Sequence, residues 1–400
     1  MRSCSRSMVV SKMIFMFRIR KKNFSYGSLG KKIEAESQSI RTTRLFPVSQ
    51  CHRPQPADGP TRIPPHRAGH KNLVSIDDWS RGDIENLLDV TEDICRHPGE
   101  FAYSLAGSLV CTAFFEPSTR TRLSFEAAAH RLGAKVLSMG DMQTTRMGLG
   151  ESASDTLRMA GYYADLVVAR HAQDGMVERM AQALDVPVVN AGEGVHRHPT
   201  QTLIDLFTMR KHFGTLDGLR VGICGGLRYS RAAKSLLAGL RAFRDVRVHV
   251  VDAVGDADEA QPVPLAQVVG AGAQEHACVA DMLGQVDVLY VVRVQREQFR
   301  DAASHGAQLE RCRVDRRLLQ CLRGGMVVMH CLPRGGELPE DVDDTPFNHY
   351  FRQAANGVAV RMAVLQRYLG RFRLTTAALM GDSLHLDIAP PSSAIRSVAW

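Results

Sequence analysis

From Ser104 onward the chain alternates short apolar runs with stretches whose apolar residues recur at helical spacing. The runs LAGSLVCTAFF, AKVLSM, ADLVVARH and VPVVNAG are separated by helical patterns over STRTRLSFEAAAHRL, from Ser152, from Met176 and over 199–212. In the first of these helices Leu123, Ala127 and Leu132 are expected to share the apolar face. A second series begins at LRVGICGG. It continues with a helix over SRAAKSLLAGLRAF, the runs VRVHVVD, VDVLYVVR and MVVMHCLP, and a helix over 350–369. Rich in Val, Leu and Ala, the runs lack the strict alternation of half-solvated strands. They suit strands buried on both faces, as parallel sheets require. The expected fold is α/β, with two doubly wound parallel-sheet domains. The expected divisions are a basic, disordered N-terminal extension over 1–70, a first domain over 71–214 and a second over 215–350. A C-terminal helix over 351–370, packing back on the first domain, and an extension over 371–400 complete the chain.

Composition narrows the function. With 400 residues, 44% hydrophobic and 23% charged, the chain has room for two cores. No apolar run reaches the roughly 18 residues needed to cross a bilayer, so no membrane role is expected. The nine cysteines are odd in number, dispersed and without a CxxC pair, which points away from zinc or redox chemistry and towards a reducing compartment. The net charge of +8 is uneven: residues 1–70 hold 14 Lys and Arg against three acids, about +11, and leave about −3 for the rest. A nucleic-acid surface is therefore not expected, and any anion site must be local. The Arg- and Ser-containing start has two open readings, an organelle transit peptide or a start codon assigned upstream of Met8, Met13 or Met16.

Polar residues gather where the apolar runs end, and open parallel sheets bind ligands beyond the carboxyl ends of their strands. Ser118-Thr119-Arg120-Thr121-Arg122 opens a helix. Free N–H groups and the positive dipole end there, with hydroxyls and Arg120, make a cradle for a phosphate-like anion. An ordinary helix start with solvated arginines is the alternative. His198-Pro199-Thr200-Gln201 opens a second helix after VPVVNAG. A histidine just ahead of a helix can stay neutral and donate to a carbonyl, because the dipole disfavours imidazolium; a structural cap is the plain alternative. His196 and His198 have no third ligand beside them, so no metal is expected. Arg170-His171 ends a third run. In GICGGLRYSRAAKS the dinucleotide spacing GxGxxG fails, and no nucleotide cofactor is expected. Arg231, and Arg293 with Gln295, suit carboxylates, the alternative being surface arginines. Cys331 in HCLPR has no base beside it and reads as a packed loop cysteine rather than a nucleophile.

FFEPSTRTRLSFE, ARHAQDG, NAGEGVHRHPTQTLIDLF, LRYSRAAKSL, LYVVRVQRE and HCLPR followed by TPFNHYFRQAANGVAVRMAVL stand in the order seen in aspartate/ornithine carbamoyltransferases. The chain resembles that family over about 73–369, and RVQRE favours its aspartate branch. The resemblance implies an active site in the cleft between two α/β domains, a cytoplasmic homotrimer with sites at subunit interfaces, and no cofactor. It implies transfer of a carbamoyl group from carbamoyl phosphate to aspartate, for pyrimidine synthesis. Residue by residue, Ser118, Thr119, Arg120 and Thr121 match phosphate binders. Thr121, Arg170 and His198 match groups around the carbamoyl oxygen, and Gln201 matches the contact to the carbamoyl nitrogen. Arg231, Arg293 and Gln295 match the holders of the aspartate carboxylates, Leu332 and Pro333 match backbone contacts, and Glu116 matches an acid that orients arginines.

One stretch departs from the family pattern. In TTRMGLGESASDT, aligning Gly150-Glu151 with the family's Gly-Glu puts Leu149 where a loop lysine from the neighbouring subunit is expected, and Thr145 where a serine is usual. No lysine occurs between Lys135 and Lys211. Three readings stay open: Arg146 substitutes as the cation, the acceptor is not aspartate, or the chain is a weakly active paralogue with an assembly role beside another carbamoyltransferase or regulatory chain. Cys331, where the aspartate branch has proline, resembles the ornithine branch. Arg231, Arg293 and Gln295 still favour a dicarboxylate.

Overall fold

The computed structural model describes residues 71–139, 150–256, 264–270, 272–322 and 324–370. The two extensions and the loop carrying Thr145, Arg146 and Leu149 lie outside the described residues.

Two parallel sheets organise the chain. The first is built from β1 (Leu109–Phe114), β2 (Lys135–Met139), β3 (Leu166–His171) and β4 (Val188–Glu193), in the order β2-β1-β3-β4. Its helices are α1 (Arg81–Arg96), α2 (Thr119–Arg131), α3 (Ala153–Tyr163), α4 (Met176–Ala183) and α5 (Pro199–Phe213). The second sheet follows α5. Its elements in chain order are β5 (Arg220–Gly225), α6 (Arg231–Leu240), β6 (Arg247–Asp252), α7 (Leu265–Val269), β7 (Gln274–Glu275), α8 (Val279–Met282), β8 (Val288–Val291), α9 (Ala302–Cys312), α10 (Arg316–Leu319) and β9 (Val327–His330). The strand order is β7-β6-β5-β8-β9, and every pair in both sheets is parallel. α11 (Tyr350–Leu369) ends the described chain.

Strand order reverses between β1 and β3 and again between β5 and β8. Connections there leave on opposite faces and open a crevice beyond the strand ends. Residues 118–121 follow β1, Arg170 stands near the end of β3, Arg231 follows β5 and Arg293 follows β8. The local chemistry that fixes these elements is plain. Ser80 and Asp83 form a reciprocal capping box on α1. Pro199 occupies the first turn of α5, and Gly214 ends that helix in the left-handed region. α5 buries residues on every side between Pro199 and Met209, which marks a central helix.

A single cluster of buried residues joins the sheets. It includes Val110, Leu166 and Val189 from the first, Val221, Ile223 and Val288 from the second, and Leu206, Leu236 and Val364 from α5, α6 and α11. α6 packs on α5, and α11 lies along α1, α2 and α5. The crevice ends of both sheets thus stand on one shared helical layer.

Two expectations from the pattern need correction. On α2 the buried apolar residues are Phe125, Ala128 and Ala129, followed by Leu132 at the C-cap, while Leu123 is 53% exposed. The i, i+3, i+4, i+7 stripe set by the bulky Phe125 outweighs the one drawn through Leu123. β2 is not buried on both faces: it is an edge strand with Lys135, Ser138 and Leu137 open to solvent.

Candidate active site

The turn after β1 places Ser118 as the N-cap of α2 in an extended conformation, with no side-chain cap hydrogen bond. Its hydroxyl therefore does not take up the first-turn N–H groups, which leaves them able to bind an anion. Thr119 and Arg120 are exposed, and Thr121 is buried. Arg120 lies close enough to Arg170 for its charge to depress the Arg170 pKa.

Glu116 ties two guanidinium groups together. Arg170 Nη2 lies 3.1 Å from Glu116 Oε1, and Arg231 donates from Nη1 to Oε2 at 2.9 Å and from Nη2 to Oε1 at 3.1 Å. Glu116 and Arg170 stand on the first sheet and Arg231 opens α6 of the second, so this carboxylate bridges the crevice. Burial alone would raise the Glu116 carboxyl, but hydrogen bonds and charge from Arg231 and Arg170 hold it below the usual range. Burial, and then the Arg231 charge, push Arg170 down to about 10. Arg231 Nη1 also donates to the Gly194 carbonyl at 2.8 Å. Gly192, at φ +118°, makes the close approach possible: a Cβ there would lie 3.1 Å from Arg170 Nη1 and 3.3 Å from Arg231 Cζ.

His198 caps the N-terminus of α5 and is buried. Its backbone N–H donates to Ser235 Oγ on α6 at 2.7 Å, and its Nδ1 lies 3.4 Å from the Thr200 hydroxyl. Burial first, then the charges of Arg231, Arg170 and Arg361, hold its pKa well below the ordinary value. The imidazole is neutral, and desolvation with three guanidinium groups accounts for that in addition to the helix dipole. One turn on, Gln201 Nε2 donates to Asp205 Oδ1 at 2.8 Å.

Other residues stand apart. Arg293 is about half exposed, with Nη2 3.8 Å from Glu297 Oε1, and Gln295 opens a short 3-10 turn. Among the described residues, no hydrogen bond or ion pair joins Arg293 or Gln295 to the Glu116 group. After β9, Leu332 adopts φ 55° before a cis bond to Pro333, and its N–H donates to His330 Nδ1 at 2.7 Å. Burial, and then the Asp205 charge, push the Cys331 thiol up to about 11, so it stays protonated and unreactive near neutral pH. His196 pairs with Asp174 at 2.8 Å, away from His198. Asp252, at the end of β6, accepts Leu227 N–H at 3.1 Å and Arg228 Nε at 2.5 Å, so this acid holds the GICGG loop rather than facing a ribose. The described residues hold no group of three or more His, Cys, Asp or Glu able to bind a metal.

The chain matches two family models in succession. Residues 71–211 match the aspartate/ornithine carbamoyltransferase carbamoyl-P binding domain, and residues 217–368 match the Asp/Orn binding domain of the same family. The chain belongs to the aspartate/ornithine carbamoyltransferase family. It is 40% identical over 304 residues to an aspartate carbamoyltransferase catalytic subunit of Thermofilum pendens, covering 75% of this chain and 95% of that one. A namesake from Halorubrum lacusprofundi is 42% identical over 299 residues, covering 74% and 93%. Among solved structures, aspartate transcarbamoylase of Trypanosoma cruzi in complex with N-(phosphonacetyl)-L-aspartic acid matches with a TM-score of 0.69 and 32% identity, covering 76% of this chain and 98% of that one. The catalytic subunit of M. jannaschii aspartate transcarbamoylase matches at 0.67 and 34%, covering 75% and 98%.

Within this carbamoyltransferase fold, the sequence gives no role to several residues beside the crevice, although each lies inside a segment that carries the resemblance. Asp205, Tyr290, Gln353, Arg361 and Ser235 come from α5, β8, α11 and α6. One clue was readable: Gln201 and Asp205 stand four apart in PTQTLIDLF, a spacing that lets helical side chains meet, and an acid inside an apolar helix asks for partners. The partners themselves lie 85 and 148 residues away.

Proposed function

We propose that the chain is an aspartate carbamoyltransferase, moving the carbamoyl group of carbamoyl phosphate to the amine of L-aspartate to give N-carbamoyl-L-aspartate and phosphate. The observation that carries this reading is Glu116 holding Arg170 and Arg231 from opposite sheets beside a buried, neutral His198. The names of the relatives support it, as does the Trypanosoma cruzi enzyme solved with carbamoyl phosphate and aspartate.

In this reading Ser118, Thr119, Arg120 and Thr121 receive the phosphate at the start of α2. The aspartate amine attacks the carbamoyl carbon and a C–N bond forms. Negative charge then gathers on the carbamoyl oxygen, where Thr121, Arg170 and neutral His198 donate to it. The C–O bond to phosphate breaks and the departing phosphate takes the amine proton, so no covalent enzyme intermediate is needed. Gln201 contacts the carbamoyl nitrogen, with Leu332 and Pro333 supplying backbone contacts. Arg231, Arg293 and Gln295 hold the aspartate carboxylates. Much of the acceleration comes from fixing two anionic substrates together between arginines. The assembly is a homotrimer in the cytoplasm, serving pyrimidine synthesis.

A second reading, carbamoyl transfer to another amine, is favoured by Leu149 at the lysine position and by Cys331 in the acceptor loop. Turnover of carbamoyl phosphate against a panel of amino acids and amines separates the two. N-carbamoyl-L-aspartate as the main product is expected. A faster product from another amine overturns the choice of aspartate, and no product from any acceptor overturns the transferase reading.

A further inference from the structure

Behind Gln201 lies a closed set of hydrogen bonds that ties α5 to α11 and to β8 and β9 of the second sheet. Asp205 on α5 is fully buried. Its Oδ1 accepts Nε2 of Gln201 at 2.8 Å and Nε2 of Gln353 at 2.6 Å, and its Oδ2 accepts the Tyr290 hydroxyl at 2.9 Å. The direction of these bonds is fixed by one group that cannot reverse. The backbone N–H of His330 donates to Gln353 Oε1 at 2.9 Å, so the Gln353 NH2 must point at Asp205. Oδ1 is then an acceptor, and the Gln201 amide must offer it NH2. Burial pushes Asp205 up to about 7, yet any proton it takes sits on Oδ2 facing Tyr290 and leaves Oδ1 unchanged. The Gln201 carbonyl oxygen is the end left to face the crevice.

We infer that Asp205 is a positioning residue that makes Gln201 present an acceptor, and only an acceptor, to the bound substrate. This rests on the reading in which Gln201 contacts the carbamoyl nitrogen. An NH2 on the substrate meets a carbonyl oxygen, whereas a methyl in its place covers that oxygen and leaves it unpaired. The residue acting through Gln201 thereby sets selection for a carbamoyl over an acetyl group on the same phosphate.

The test compares the affinities of carbamoyl phosphate and acetyl phosphate by calorimetry. The wild type is expected to prefer carbamoyl phosphate by about tenfold or more. Asp205→Leu, nearly isosteric but without an acceptor, is expected to bring that ratio close to one. Asp205→Asn, whose oxygen can keep both amides and whose NH2 can donate to Tyr290, is expected to retain it. In the background of Gln201→Ala, Asp205→Leu is expected to change the ratio no further. A merely structural role lowers both affinities together and leaves the ratio intact, and that result overturns the proposal. Should Asp205→Leu fail to fold, Gln353→Met replaces it. This variant releases Oδ1 to take the proton and is expected to cost about threefold of the same ratio; an unchanged ratio there also overturns the proposal. Failure of the functional reading looks different: the wild type then selects carbamoyl phosphate yet transfers it to no acceptor.

Discussion

The two halves of the crevice are built to different standards. On the first sheet, Glu116 and Arg170 are fixed by hydrogen bonds, His198 is buried and neutral, and the α2 start keeps its N–H groups out of a side-chain cap. On the second, Arg231 is drawn across to Glu116, while Arg293 is half exposed and, among the described residues, its guanidinium forms an ion pair only with Glu297, at 3.8 Å. A site that is held in place without ligand binds without first ordering its side chains; one that is not must pay that entropy on binding. With the roles proposed above, the first half is expected to take the phosphorylated substrate first and the second to be completed afterwards.

The largest expected effect falls on the rigid half. Arg170→Ala takes away the donor proposed for the carbamoyl oxygen and is expected to cost about 100- to 1,000-fold in kcat/KM, the scale of losing an oxyanion-hole donor. Arg293→Ala is expected to raise the KM for aspartate by about tenfold while leaving the affinity for carbamoyl phosphate unchanged. Steady-state kinetics with each substrate varied in turn checks both. Equal effects of Arg293→Ala on the two substrates break the contrast between the halves.

The smallest effect is a pH dependence of stability set by two buried groups of opposite sign. His198 has a depressed folded pKa. Below about 6.5 the unfolded chain takes a proton there that the folded chain refuses, and stability falls as pH falls. Asp205, raised to about 7, holds a proton in the folded chain that the unfolded carboxyl has released, and stability rises as pH falls through 7. The two offset in the wild type, so the difference from His198→Gln isolates the first. That difference is expected to move by about 1 kcal/mol against the wild type between pH 7 and 5.5. Denaturant unfolding at the two values reads it, and no change contradicts a neutral His198.

How much was legible varies with the reach of the interaction. The bounds of α11 and the proline-led start of α5 follow from periodicity and cap chemistry within one helix, so the chain alone displays them. The face of α2 did not, because two stripes compete on that helix and only the packing against α11 and the sheet chooses Phe125 over Leu123. β2 reads as apolar, yet its place at the sheet edge is a property of strand order. In the site, hydroxyl, arginine and histidine stand out at each strand end. Their mutual geometry is another matter: Glu116 meets Arg231 across 115 residues, and Asp205 meets Gln353 across 148. No periodicity carries information over such distances. Gly192 shows the same limit, since its need to be glycine is set by two arginines from other segments.

The contrast between the halves is tested most directly by titrating the unliganded protein with each substrate alone in a calorimeter. Carbamoyl phosphate is expected to bind at one site per chain without aspartate, and aspartate alone to give no measurable heat. Binding of aspartate at equal strength with and without carbamoyl phosphate contradicts the account.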